Sequence, residues 1–296
     1  MKNVGFYISY AIIWILTLLP FKALYIFSDF AFLIVYYVIG YRKKVVIDNL
    51  RHAFPEKSEQ EILVLSKKFF HHFCDFLIEF AKIIHLSSGQ IDKRVTYVNP
   101  ELLNDYYNQN KSVVLVLPHY ANWEWAANCA NKIKLKSIAI YKPLRNKKFD
   151  HLILSLRKKW NMQAVPMNDV IRVILSHEKE KIRIVTSYLV DQTPPRRYPF
   201  WINFFNRETP FYTGPAKIAK KFAQPIVYMK VTKIKRGYYQ VEFYPLFDEP
   251  ERYTEEEIID RIVREIENHV REKPEYWLWS HRRWKHTKEN YTSTNN

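Results

Sequence analysis

The order of apolar and polar positions predicts two apolar N-terminal segments, a helical stretch, and then alternating strands and helices. Residues 42–92 have helical patterning, broken at Phe54-Pro55-Glu56, with Ser58 suited to cap the helix that follows. The later alternation predicts an α/β domain with a mostly parallel sheet flanked by helices, and Arg236-Gly237 joins a final antiparallel pair. The predicted strands are 112–117, 136–141, 163–167, 182–189, 225–233 and 239–246. The predicted helices are 123–133, 147–160, 168–178, 214–223 and 254–272.

The two N-terminal segments differ in charge. Val4 to Phe21 contains no charged residue and can just span or deeply enter a bilayer, whereas Ala23 to Tyr41 carries Asp29 and precedes Arg42-Lys43-Lys44. We expect one membrane-entering helix followed by an interfacial segment, with the main body on the cytoplasmic side. The predicted divisions are a membrane anchor and interfacial segment at 1–41, a helical lead-in at 42–92, an α/β domain at 93–285 and a polar, disordered tail at 286–296.

Composition excludes several classes of site. The chain has five dispersed glycines, so it contains no glycine-rich phosphate loop and no GxSxG elbow. Its two cysteines do not form a CxxC pair, and the adjacent His71 and His72 do not have a metal-ligand spacing, so we predict no metal site. With 46 Lys and Arg against 30 Asp and Glu, the net charge is +16. Such a surface attracts nucleic acid, anionic lipid headgroups or an acidic carrier protein, and charge alone does not choose among them.

The sharpest candidate chemistry is His119 with Glu124, at a predicted strand-to-helix corner. Asn122 can cap a helix that begins at Trp123, which puts Glu124 in its first turn. Residues five apart in one helix could not converge, but His119 in the preceding loop could fold back toward Glu124. A carboxylate on one imidazole nitrogen would leave the other to take a proton from a hydroxyl. The alternative is an exposed corner histidine beside an ordinary first-turn glutamate.

Other polar residues follow predicted strand ends, where ligands of open α/β sheets bind. Lys142 and Arg145 could hold phosphate, or could belong to a solvated basic loop with Arg157 on the next helix. Asp191, followed by Gln192, could hold a cationic or hydroxyl group, although turn chemistry before Pro194-Pro195 explains it equally well. The aromatic residues from Phe204 to Tyr212 could line an acyl-chain slot, with core packing as the default.

Several segments, in order, together resemble the bacterial lipid A late acyltransferases (lauroyl and myristoyl transferases), relatives of the lysophospholipid acyltransferase superfamily. They are the N-terminal membrane helix, Asn49 to Pro55, His119 to Glu124, Tyr141 to Asn146 with Asp150 and Arg157, Asp191-Gln192, Phe204-Phe205, Thr213-Gly214 and Trp279 to Trp284. Lys142 departs from the arginine that the family often has after the tyrosine, and a lysine recognises phosphate less directionally.

The resemblance implies transfer of a fatty acyl chain from acyl carrier protein thioester to a hydroxyl of a lipid A precursor, a phosphorylated glycolipid. It implies a site on the cytoplasmic face of the inner membrane. By position, His119 is the general base and Glu124 its orienting carboxylate. The substrate-binding residues would be Lys142, Arg145, Arg157, Asp191 and Gln192. Because a thioester is already activated, we expect no cofactor, no metal and no nucleic-acid partner.

Two alternatives stay open. The same chemistry could act on another acceptor, such as a phosphoglycolipid, a lysophospholipid or an aminolipid. The net charge of +16 also fits a membrane-anchored protein that binds polyanions or acts as a scaffold.

Overall fold

The structure is a computed structural model that describes residues 2–144, 146–194 and 199–288. The α-helices are α1 (Lys2–Leu16), α2 (Phe21–Leu33), α3 (Lys43–Ala53), α4 (Glu59–Lys82), α5 (Ser88–Asp92), α6 (Glu101–Asn108), α7 (Trp123–Ala126), α8 (Lys147–Lys158), α9 (Val170–Lys179), α10 (Gly214–Phe222) and α11 (Glu255–Glu272). The strands are β1 (Val95–Val98), β2 (Val113–Leu117), β3 (Lys136–Tyr141), β4 (Met162–Pro166), β5 (Ile184–Leu189), β6 (Pro199–Phe204), β7 (Arg207–Tyr212), β8 (Ile226–Lys235) and β9 (Tyr238–Phe247). Short 3₁₀ turns lie at Ile83–His85, Ala127–Asn131, Pro250–Arg252 and Pro274–Tyr276, and a π-helical turn at Ile34–Ile39.

The main sheet has seven strands in the order β1-β9-β8-β2-β5-β3-β4. Strands β8, β2, β5, β3 and β4 are parallel to one another, and β9 pairs antiparallel with β8. Helices α8 and α9 pack on β4, α10 packs on β2, and α11 packs on β9. The mixed α/β architecture with a mostly parallel sheet is therefore confirmed.

All six predicted strands are present, but β1 and the β6–β7 hairpin were not predicted from the sequence. Strand β1 has four residues, of which Val95 is the buried one. The hairpin turns at Phe205 and Asn206, which both have positive φ, as a two-residue turn of this kind requires. A phenylalanine at such a position is uncommon, so the turn lacks the glycine signal that identifies hairpins in a sequence.

The turn between β8 and β9 is the predicted Arg236-Gly237. Gly237 has φ +73°, a left-handed conformation that side chains rarely adopt. A Cβ there would lie 2.1 Å from the Tyr25 hydroxyl oxygen on α2. The turn therefore needs glycine both for its conformation and for the close approach of α2.

The helical lead-in agrees with the prediction, including its break after α3. Ser58 begins α4 with a capping box, in which its hydroxyl accepts the Glu61 N–H and the Glu61 carboxylate accepts the Ser58 N–H at 2.8 Å. This reciprocal pair satisfies two backbone donors at the start of a 24-residue helix.

The two N-terminal helices differ from the expected order. Helix α1 ends at Leu16 and is roughly 22 Å long, short of the bilayer's hydrocarbon core of about 30 Å. Within the described chain, Phe21–Ile39 is the one helix long and apolar enough to cross a membrane, which is weak evidence because it rests on length and composition. The segment from Ala23 to Tyr41, which was expected to be interfacial, thus contains a helix of the length that was expected of Val4 to Phe21.

Helix α2 is attached to α4 and to the β8–β9 turn by polar side chains along one face. The Tyr25 hydroxyl donates to Glu79 at 2.8 Å, and the Ser28 hydroxyl donates to Asp75 at 2.7 Å. Asp29 accepts a hydrogen bond from Arg236 at 2.6 Å. The opposite face exposes large apolar residues, namely Ile26, Phe27, Phe30 and Leu33.

Candidate active site

His119 and Asp191 lie next to each other at the carboxyl edge of the parallel strands. His119 follows β2, whose five residues are all buried, and Asp191 follows β5. The two strands are parallel neighbours in a register that pairs Leu117 with Leu189, so the residues that follow them meet at one edge.

The Asp191 carboxylate holds His119 by two hydrogen bonds. Nδ1 of His119 lies 2.6 Å from Oδ1 of Asp191, and the His119 backbone N–H donates to Oδ2 at 2.8 Å. The Trp277 indole N–H also donates to Oδ2 at 2.7 Å. Because a carboxylate only accepts, Nδ1 carries the hydrogen and Nε2 keeps a lone pair, to which the Gln192 amide donates at 3.1 Å. This is the tautomer that a general base needs.

Asp191 is ionised in this setting although it is buried. Burial alone would raise its pKa, but the electrostatic attraction to His119 and the N–H donors of His119 and Trp277 outweigh burial and lower the pKa of Asp191 below its usual 3.8. The Asp191 side chain is 2% exposed and that of His119 is 14% exposed, so the imidazole reaches the surface and the carboxylate does not.

Glu124 does not contact His119, which corrects the predicted pairing. Its Oε1 accepts from Arg157 of α8 at 3.2 Å. Asn122 caps α7 as predicted, accepting the Trp125 N–H at 2.9 Å. The helix therefore starts beyond the turn and points Glu124 toward α8, while the neighbouring strand end brings Asp191 to the imidazole.

The turn between His119 and α7 is strained and tightly held. Ala121 is fully buried with φ 51°, a left-handed conformation that costs a non-glycine residue about 1 kcal/mol or more. Its N–H donates to the Tyr276 carbonyl at 3.0 Å. The Asn122 amide donates to the fully buried Glu79 at 2.7 Å. Helix α4 and the 3₁₀ turn at Pro274–Tyr276 thus fix the conformation of the turn that follows His119.

A small apolar cavity of about 50 Å³ lies beside Glu124 and Arg157. Six of the apolar residues in its walls are Leu115, Leu117, Ala127, Ile140, Met162 and Met229. The aromatic residues Phe204, Phe205 and Phe211 lie elsewhere, buried in the core. Of the two readings of that aromatic segment, core packing is the one these three residues fit.

The other predicted site residues are distributed unevenly. Gln192 contacts His119, while Lys142 is exposed on the loop after β3, at the same sheet edge. Arg145 lies outside the described residues. Among the residues that the structure describes, no group of three or more His, Cys, Asp and Glu could hold a metal ion. Cys74 and Cys129 are buried free thiols, and burial raises the pKa of each to about 12.

Two segments at opposite ends of the chain meet behind the site. The Asn49 amide donates to the carbonyls of Trp279 at 2.8 Å and His281 at 3.0 Å. These two hydrogen bonds fix the segment from Trp277 to His281, in which the Trp277 indole N–H donates to Asp191. Trp277 is a site residue that the sequence did not single out, because its only signal was membership of an aromatic and cationic stretch.

The family model of the bacterial lipid A biosynthesis acyltransferases matches residues 1–286. The chain belongs to this family. A lipid A biosynthesis acyltransferase of Haemophilus influenzae is 23% identical over 239 residues, which cover 78% of this chain and 72% of that protein. The lipid A biosynthesis lauroyltransferase of Escherichia coli K12 is 23% identical over 281 residues, 94% of this chain and 90% of that protein. The myristoyltransferase of the same strain is 23% identical over 247 residues, 80% of this chain and 73% of that protein. The resemblance drawn from the motifs is confirmed, and the protein is an acyltransferase.

Proposed function

We propose that this acyltransferase moves a fatty acyl chain from acyl carrier protein thioester to a hydroxyl of a lipid A precursor, with His119 as general base. The observation that carries the proposal is the His119–Asp191 pair, whose 2.6 Å hydrogen bond leaves Nε2 of His119 as the acceptor. The acceptor hydroxyl takes the place of the Gln192 amide at Nε2 and loses its proton there as its oxygen attacks the thioester carbonyl. Asp191 stabilises the imidazolium that results. The C–S bond then breaks, and the thiol of the carrier protein leaves with the proton that His119 returns to it.

Arg157 and Glu124 serve the other half of the reaction in this proposal. Attack on the thioester places negative charge on the carbonyl oxygen, and preorganised donors stabilise that charge. The Arg157 side chain is 17% exposed and is held by Glu124 at 3.2 Å. Glu124 therefore positions Arg157 and does not orient His119, a change from the role that its spacing implied.

The apolar cavity beside this pair is where the acyl chain begins to enter. Its present volume of about 50 Å³ is too small for a fatty chain, so the walls must part. Met162 and Met229 line it, and methionine side chains adapt to new shapes more easily than branched ones. The resting cavity marks the start of the slot and does not give its length.

The N-terminal helices bring this site to the membrane in which the lipid acceptor lies. Helices α1 and α2 expose Ile8, Ile12, Ile26 and Phe30. Asp29, near the middle of α2, is bound to Arg236, and such a pair would be costly at the centre of a bilayer. We therefore expect α2 to lie along the interface with its apolar face in lipid, on the cytoplasmic side of the inner membrane. The net charge of +16 suits both an acidic carrier protein and a phosphorylated acceptor.

The decisive experiment incubates the purified protein with acyl carrier protein thioester and a phosphorylated lipid A precursor, and measures the product's mass. His119→Ala should lower the rate by about 10²- to 10⁴-fold, the usual contribution of a general base. His151→Ala, at an exposed position on α8, is the matched control and should leave the rate unchanged.

Lysophospholipid, aminolipid and another phosphoglycolipid are tested as acceptors in parallel. Acylation of one of these in place of the lipid A precursor would keep the mechanism and change the acceptor. Transfer by His119→Ala at the unmodified rate would refute the mechanism.

A further inference from the structure

Helix α2 and the π-helical turn that continues it, Phe21–Ile39, are called the α2 segment below. A second cleft, of about 540 Å³, opens between the C-terminal part of this segment, the middle of α4 and the turn at Pro274–Tyr276. Its lining includes three lysines, Lys67, Lys68 and Lys233, and Glu275 is the carboxylate among its lining residues. The lysines therefore outnumber the carboxylate and give the cleft a net positive charge. This charge attracts an anion.

Lys233 is the fixed cation of the cleft. It is 7% exposed, and its ammonium lies 3.2 Å from Nδ1 of His72 and 3.4 Å from Asp75. Asp75 is bound more closely by Arg236, at 2.6 Å, so the charge of Lys233 is only partly compensated. Lys67 and Lys68 are exposed at the rim, free to close on a ligand.

The wall of the cleft that faces Lys67 is apolar. Phe32 and Tyr37 form it, and Val38 and Ile39, which are 79% and 64% exposed, continue it outward along the α2 segment. The Lys67 ammonium lies 5.9 Å from the centre of the Tyr37 ring. Aromatic rings and lysines together are typical of the boundary between membrane and water. The ligand that fits has a charged head and an apolar tail.

We propose that this cleft binds the phosphate of an anionic lipid headgroup, with the lipid's chains lying along the exposed apolar face of the α2 segment. Lys67, Lys68 and Lys233 bind the phosphate oxygens. The phosphate can belong to the phosphorylated acceptor or to a surrounding phospholipid, which share this chemistry. Binding itself does not depend on the proposed transferase reaction, whereas assigning the phosphate to the acceptor rests on it.

The cleft is connected to the turn between His119 and α7. Nδ1 of His72 lies 3.2 Å from the Lys233 ammonium, and Ala121 lies two residues after His119. The ring of Tyr276, which also lines the cleft, packs 4.8 Å from that of His72, and its carbonyl accepts the Ala121 N–H. A phosphate on Lys233 therefore lies against the residues that hold His119 in place.

The test measures binding of dihexanoyl phosphatidic acid to the full-length protein by titration calorimetry. Replacing both rim lysines (Lys67→Gln, Lys68→Gln) should weaken binding about tenfold, equal to about 1.4 kcal/mol. The matched control, Lys179→Gln with Lys181→Gln, removes the same charge from an exposed surface near the start of β5 and should leave binding unchanged. Glu275→Gln removes the cleft's carboxylate and should tighten binding about threefold, an effect that misfolding cannot produce.

Equal binding by the protein with and without the rim lysines would overturn the proposal, as would equal binding of dihexanoyl phosphatidylcholine, whose headgroup has no net charge. If inorganic phosphate binds as tightly as the lipid, the cleft recognises phosphate alone, and the proposed lipid ligand is refuted. In the transferase assay, a raised KM for the acceptor in the rim variant, at unchanged kcat, assigns the phosphate to the acceptor. An unchanged KM with weakened lipid binding assigns it to phospholipid.

Discussion

Two clusters, each of which combines a histidine with a buried aspartate, lie near the turn between His119 and α7. In the first, Asp191 accepts N–H groups from His119 and Trp277. In the second, Asp75 is bound by Arg236 and Lys233, with His72 on Lys233. The residue types are similar, but the second carboxylate is paired with permanent cations.

The difference lies in whether a partner can be exchanged. His72 is 5% exposed and uses Nδ1 for Lys233, a cation that is itself held by Asp75. His119 uses Nδ1 for Asp191 and offers Nε2 to Gln192, a side chain that is only partly buried. The second cluster stabilises the fold, whereas the first leaves a lone pair on Nε2 of His119, where our proposal places the substrate hydroxyl.

The largest expected effect is on the first cluster. In Asp191→Asn, the amide can donate to Nδ1, which moves the hydrogen to Nε2 and leaves no lone pair for the acceptor hydroxyl. We expect kcat to fall by about 10³- to 10⁴-fold, as for the same change in serine protease triads. The measurement is initial-rate kinetics with acyl carrier protein thioester. Asp260→Asn, on an exposed ion pair of α11, is the control and should keep full activity.

If Asp191→Asn keeps more than a tenth of the rate while Glu124→Gln loses it, the assignment of the orienting carboxylate is reversed. The comparison of the two clusters would then fail at its first member.

The next effect is on the second cluster and concerns stability. Asp75→Asn leaves Lys233 buried without its carboxylate, and breaking a buried ion pair in this way costs about 3–5 kcal/mol. Urea denaturation in detergent micelles measures the free energy of unfolding. The same Asp260→Asn control should cost less than about 1 kcal/mol because its pair is exposed. A loss no larger than that of the control would mean that Arg236 is satisfied by Asp29 alone.

The smallest effect is a pH dependence due to His72. Burial, and then the charge of Lys233, lower the pKa of His72 well below its usual 6.5. Below that pH the unfolded chain takes up a proton that the folded protein does not. Stability should therefore fall by about 1.4 kcal/mol per pH unit as the pH drops below 6.5, until it reaches the pKa of the folded state.

Replacing the imidazole, as in His72→Gln, should make this loss of stability with falling pH shallower by about 1.4 kcal/mol per pH unit, the contribution of one proton. Denaturation at pH 7, 6 and 5 measures the slope. Equal slopes for the two proteins would show that His72 binds its proton equally well in the folded and unfolded states, which would contradict the lowered pKa.

Much of the fold was readable from the sequence because its signals are local. Ser58 and Asn122 cap helices through groups only three residues away, and both caps are present as predicted. The β6–β7 hairpin was missed because Phe205 adopts a positive φ against its own preference. Tertiary contacts hold that residue, which is fully buried and donates its N–H to Glu267 at 3.0 Å.

The residues of the candidate site were found more readily than their partners. His119, Asp191, Arg157 and Gln192 were all named from strand ends or from the family resemblance. The predicted partnership of His119 with Glu124 was wrong, because spacing along the chain says nothing about which strand lies alongside. The order of strands, with β5 beside β2, brings Asp191 to His119.

The sequence by itself determined most of the elements, the family and the candidate base, since helix periodicity, caps and motifs depend on neighbours within a few residues. Only the tertiary structure decided which carboxylate binds His119, that Trp277 and His72 support the site, and that Lys233 shares a cleft with the distant pair Lys67 and Lys68. These facts depend on contacts between residues up to 161 positions apart, as between His72 and Lys233. Such contacts follow from how the sheet and helices pack, which no local pattern records.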